Sequence, residues 1–194
     1  MSQPSEAPEH LIGVGFWYSF YEPDLPAPSQ FVDEHWSTEE RRRVLSYLQQ
    51  GRKLNYWAGY SWCRFQCGEP DDNMGSADLT DGTYCWPEGL AHYIERHHVK
   101  LPERIVAHIL SQPSFPDIAA ALVPESIPVD ISWWKTQRGW QPANGCSPFW
   151  FKSRKEAQDF MRRLDRNALD FGPQTDETEV ARARLLQALR QELQ

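Results

Sequence analysis

Residues Ser76–Pro102 read SADLTDGTYCWPEGLAHYIERHHVKLP. Asp81-Gly82 is a turn signal, the run around Tyr84 and Trp86 has the aromatic character of a strand edge, and Pro87 suits the first turn of a helix. The spacing predicts that helix over Pro87–His98, with Leu90, Tyr93, Ile94 and His97 on one face. Pro102 opens another short helix that turns Ile105, Val106, Ile109 and Leu110 inward. Just upstream, residues 68–82 read as a turn-rich acidic loop.

Working outward, Leu54–Phe65 has strand composition with Gly59 as a bulge position. Ser37 and Glu40 form a capping box for a helix that runs through Gln50 and is closed by Gly51. Leu11–Tyr21 reads as a strand, followed by a loop at Pro23, Pro26 and Pro28, and residues 1–10 as a disordered tail. Towards the C-terminus, Val129–Lys135 and Ser147–Lys152 read as strands. Ser153 and Glu156 box a helix through about Asn167, and Asp176 caps a last one over about Glu177–Leu193. Helices outnumber strands without alternating with them. The expected class is α+β: a small, mostly antiparallel sheet of about four strands packed with four to five helices. One domain is expected over residues 11–194, ending in the C-terminal helix.

A chain of 194 residues, 40% apolar and 24% charged, can bury a full core without staples. The net charge of −7 argues against nucleic acid or an anionic membrane as partner, because both need a basic footprint. No signal peptide or membrane span is legible, so the expected compartment is the cytoplasm, where Cys63, Cys67, Cys85 and Cys146 stay reduced. Charge is segregated along the chain. Met1–Glu40 carries eight acids and no Lys or Arg, Arg41–Gly68 six bases and no acid, and Glu69–Glu95 seven acids and no Lys or Arg. Like charges gathered this way build a field that a partner of opposite sign can use.

Two constellations could carry chemistry. Cys63 and Cys67 form a C-x3-C pair, followed by Cys85, His92, His97 and His98, the ligand types that zinc prefers. On an extended strand the two cysteines would lie roughly 13 Å apart, too far to share a metal unless the chain turns at Gln66. Ordinary buried thiols are therefore the preferred reading, with no metal site and no cofactor. Zinc on Cys63, Cys67, Cys85 and His97 is left as an alternative. A Cys85–His97 nucleophilic pair and carboxylate pairs among Asp78, Asp81 and Glu88 are weaker readings than a small apolar cysteine and solvated turn residues. No catalytic motif is present, so no catalytic residue is assigned and no enzyme is expected. Among nine tryptophans, Trp134 and Trp140 flank a turn at Gln137–Gly139 and are the candidates for exposure, with Trp133 and Trp134 on opposite strand faces.

The residues Thr80-Asp81-Gly82, Tyr84, Trp86-Pro87-Glu88-Gly89-Leu90-Ala91-His92-Tyr93, His97 or His98, Val99, Leu101 and Pro102 resemble the core of a family of small bacterial proteins of unknown function. That likeness covers under a fifth of the chain and brings no activity with it. In general character the chain also resembles toxin-immunity proteins, which are small, acidic and aromatic-rich. The expected function is then a binding protein that neutralises a basic, toxin-like protein partner. Asp71, Asp72, Asp78, Asp81 and Glu88 would steer it, and Trp134 and Trp140 would anchor it. The alternatives are a metal-stapled module or enzyme around Cys63–His98, and an assembly subunit that docks through its last helix.

Overall fold

The computed structural model describes residues 9–19, 22, 24–116, 127–142, 158–162, 180, 183, 184, 186, 187 and 190. The chain divides into two compact units, Met1–Pro148 and Phe149–Gln194. In the second, the described residues are all helical and Arg162 pairs with Asp159. The expected strand at 147–152, the capping box at Ser153 and Cys146 lie outside the described residues.

The first unit is α+β. Its strands are β1 (Leu11–Gly13), β2 (Arg52–Tyr56), β3 (Ala77–Thr80), β4 (Tyr84–Pro87) and β5 (Val129–Asp130). Its helices are α1 (Thr38–Leu48), α2 (Leu90–His97), α3 (Glu103–Ser111) and α4 (Ser132–Lys135), with 3-10 turns at Pro28–Phe31 and Asp71–Met74. The sheet order is β2-β3-β4-β1-β5. The β2-β3 and β3-β4 pairs are antiparallel, and β1 runs parallel to both β4 and β5. The sheet is therefore five-stranded and mixed, where a mostly antiparallel one of four strands was expected. Four strands share one direction and only β3 opposes them, so the carboxyl ends of β1, β2, β4 and β5 open on the same side.

Local chemistry explains where elements depart from the periodic reading. β1 stops at Gly13 because the chain turns at Gly15, whose φ is +71° and whose missing Cβ leaves room for Leu90. The expected acidic loop contains β3, since Ala77–Thr80 pairs on both sides and is wholly buried. Pro87 ends β4 instead of opening a helix, and Gly89 caps α2 without a side-chain bond. Val129–Lys135 is strand only to Asp130, whose carboxylate accepts the Ser132 N–H at 2.8 Å and starts α4. In α1, Ser37 caps the Glu40 N–H as expected, but Glu40 takes the Trp36 indole N–H and leaves the box half closed.

Strand alternation splits the core between the two sheet faces. Tyr84 and Trp86 join the main core with Val44 and Leu48 of α1, Leu90 and Ile94 of α2, and Ile105 and Ile109 of α3. Cys85 points the other way, to a small cluster with Leu11 and Ile127. Beneath the β3-β4 turn, Asp81 ties the layers together. Its Oδ1 accepts the Thr83 and Tyr84 N–H groups at 2.8 and 2.7 Å, and its Oδ2 accepts the Tyr47 hydroxyl at 2.8 Å and contacts His108 Nε2 at 2.9 Å. Burial, then the Asp81 carboxylate, pushes the Tyr47 hydroxyl well above its ordinary pKa. Among the described residues no helix is long and apolar enough to cross a membrane.

Candidate metal centre

After β2 the chain leaves the sheet in a loop through Cys63–Gly68 that has little regular structure. Cys63 is buried and Cys67 exposed. The expected separation of the two thiols rested on an extended chain, and the chain is not extended there. The Gln66 N–H returns to the Cys63 carbonyl at 2.9 Å, and Gln66 and Gly68 take φ values of +50° and +81°. This left-handed turn folds the C-x3-C segment back on itself and turns both sulfurs towards α2. The loop is held there by Tyr93, whose hydroxyl accepts the Arg64 N–H at 3.0 Å and donates to the Trp62 carbonyl at 3.1 Å.

α2 supplies the other half. His92 and His97 are five residues apart, which on a regular α-helix would place them about 140° apart. The helix end brings them together. His98 adopts a left-handed conformation, and the His98 and Val99 N–H groups both return to the Tyr93 carbonyl. This reach of five and six residues widens the last turn and rotates His97 onto the His92 side. The two rings lie 5.0 Å apart, and His97 stacks on Phe65 at 4.2 Å.

The four side chains converge on one point. Cys63 Sγ lies 3.2 Å from His97 Nε2, Cys67 Sγ 3.4 Å from His92 Nε2, and the two Nε2 atoms 3.2 Å apart. All four atoms fall within 4.8 Å of one another. A tetrahedral zinc with arms of about 2.3 Å to sulfur and 2.0–2.1 Å to nitrogen needs edges of roughly 3.3–3.8 Å. No family model, curated protein or solved structure matches the chain.

The electrostatics suit a cation. Burial lowers the His97 pKa to about 4, with His92 and Arg96 adding to the effect, and burial also lowers that of His92. Both imidazoles are thus neutral at pH 7, the form that ligates. Burial pushes the Cys63 thiol up to about 12, so without a nearby cation it keeps its proton. On the far side of His92, Glu69 Oε2 lies 3.9 Å from Nδ1, and Glu69 Oε1 accepts the Asn73 amide at 2.7 Å. That places a negative charge behind the His92 ring, at a distance too long for a hydrogen bond but on the side where a carboxylate commonly supports a ligating imidazole. Four protein ligands close a tetrahedron and leave no open position for substrate, which is the form of a structural centre.

The other expected site residues scatter. Asp71 and Asp72 sit in the 3-10 turn, Asp71 half-buried and Asp72 exposed. Asp78 and Asp81 are only 4% and 5% exposed, so neither stands in a solvated loop; β3 carries Asp78 into the sheet, and Asp81 lies in the network described above. Glu88 pairs with Lys53 at 2.9 Å. Trp134 is fully buried, because α4 replaces the expected strand and its indole N–H donates to the Phe16 carbonyl. Trp140 is exposed, as the turn signal suggested. Cys85 belongs to the small cluster on the other sheet face, so the fourth member of the candidate group is His92 in its place. His98 lies beside Glu34, away from the cluster.

Proposed function

We propose that the protein is a zinc-stapled binding module. Its centre of Cys63, Cys67, His92 and His97 is structural, and it pins the 57–68 loop to α2. The observation that carries this is the convergence of four ligand atoms from two separate segments to within 4.8 Å. A group of acceptors and thiols brought that close is costly without a shared cation, because each gives up hydration and gains few donors. Thiolates balance the charge of zinc, so the closed site is neutral.

The end of β2 and the pinned loop after it present the largest apolar exposure of the described chain. Tyr56, Trp57 and Tyr60 are 73%, 61% and 60% exposed. Aromatics held out of the core by a staple are suited to recognition. This reading takes the place of the acidic neutraliser, whose mechanism needed Asp78 and Asp81 facing solvent.

Cobalt(II) substitution tests it. The expected result is a metal complex with the absorption of a tetrahedral, thiolate-ligated ion, formed at about one cobalt per chain and displaced by zinc. An octahedral spectrum without thiolate charge transfer would contradict it.

A further inference from the structure

Beside the staple lies a cavity of about 540 Å³, within the range of small-molecule sites. It opens at the carboxyl ends of the four strands that share a direction. Phe16 and Trp17 follow β1, Glu88 and Gly89 follow β4, Ile131 follows β5, and Asn55 and Trp57 end β2. The crevice beyond the strand ends is where open sheets with parallel strands bind ligands.

Two buried charges of opposite sign line this cavity without being paired; of the other charged lining residues, Glu22 is exposed and Glu88 is tied to Lys53. Arg64 is 8% exposed. Its Nε and Nη1 donate to the Tyr18 and Trp62 carbonyls at 3.1 and 2.8 Å, and its guanidinium lies 3.9 Å over the Trp62 ring. No carboxylate lies within 4 Å of it among the described residues, and Nη2 meets no acceptor there. Burial alone draws its pKa below the ordinary value. The same wall holds Trp17, whose buried indole N–H also lacks an acceptor. Asp78 is 4% exposed. The Trp57 indole and the Asn55 amide, at 3.1 and 3.5 Å, both donate to its Oδ2, and Oδ1 meets no donor among the described residues. No cation pairs with Asp78 there, and Arg64 and Asp78 do not bridge each other.

A buried ion without a counter-charge is expensive, and two of opposite sign in one cavity ask for a ligand that carries both. We propose that the cavity binds a small zwitterion, with its carboxylate on Arg64 and its amine on Asp78 Oδ1. A guanidinium fork matches a carboxylate, and a buried carboxylate oxygen without a donor suits an ammonium group. A single guanidinium, with Asp78 and Glu88 nearby, disfavours a phosphate dianion. The proposal rests on the zinc reading only in that Arg64 follows Cys63 and shares its loop.

The experiment is calorimetric titration of the zinc-occupied chain, with zinc content measured on the same sample. The probes are L-phenylalanine and the ω-amino acids from glycine to 6-aminohexanoate, against hexanoate and hexylamine. One or more zwitterions should bind at least about tenfold more tightly than either single-charge probe. Arg64→Gln should abolish the advantage over hexylamine, and Asp78→Asn the advantage over hexanoate. The proposal is overturned if, with zinc in place, no zwitterion binds at about 10 mM, or if hexanoate or hexylamine binds as well as the best zwitterion. The specificity of the unaltered chain decides the matter even where a variant fails to fold. A chain that takes up no zinc and still binds zwitterions would sink the metal reading and leave this one standing.

Discussion

Two clusters of ionisable side chains hold this fold together, and they are built in opposite ways. At Asp81, donors surround an acceptor: two backbone N–H groups and the Tyr47 hydroxyl donate to one carboxylate, and His108 lies against it. At Cys63, Cys67, His92 and His97, two sulfurs and two imidazole nitrogens converge on one point, with only thiol or imidazole protons to share among them. The first is complete as it stands, and its purpose is to join the β3-β4 turn to α1 and α3. In the proposed reading the second is completed by a cation. The difference shows how to separate a structural polar network from a metal site: count donors against acceptors before counting ligand types.

Substitutions should divide along that line. The largest effect is expected for Cys63→Ala or His97→Ala, which should lower zinc affinity by more than about 100-fold and leave melting insensitive to chelator. Asp81→Ala strands three donors at once and should cost on the order of 3 kcal/mol in denaturant unfolding, with zinc content unchanged. A loss of zinc there would blur the comparison. Glu69→Gln should weaken zinc by about tenfold, measured by competition with a chromogenic chelator, and barely move stability. Cys85→Ala should cost about 1 kcal/mol and keep full zinc, because that thiol fills the small cluster on the other sheet face.

The mildest effect concerns pH in the metal-free chain. His97 resists protonation until about pH 4 in the folded state, whereas an unfolded histidine accepts a proton near 6.5. Between those values the unfolded chain binds more protons, so stability falls as pH is lowered through the window. A melting temperature that rose from pH 6.5 towards 4 would contradict this.

Much of the fold was legible in the sequence. Ser37 marked the start of α1, Pro102 that of α3, and the apolar spacing of Leu90, Tyr93 and Ile94 the buried side of α2. β3 was hidden because Asp78, Thr80 and Asp81 look like turn residues until their carboxylates and hydroxyl find partners within the fold. Trp134 was misplaced because the Asp130–Ser132 turn, a signal of three residues, overrides the alternation around it. All four metal-cluster residues were visible by type. Their convergence was not, since it depends on a left-handed Gln66 and on the widened end of α2. Neither residue there is glycine, so nothing in composition announced those bends.

The zinc content of the purified chain, by native mass spectrometry with free thiols counted in parallel, tests the central claim most directly. The account predicts about one zinc per chain, with Cys63 and Cys67 shielded from alkylation until chelator is added. Less than about a tenth of an equivalent, with both thiols reactive at the same rate before and after chelation, would contradict it.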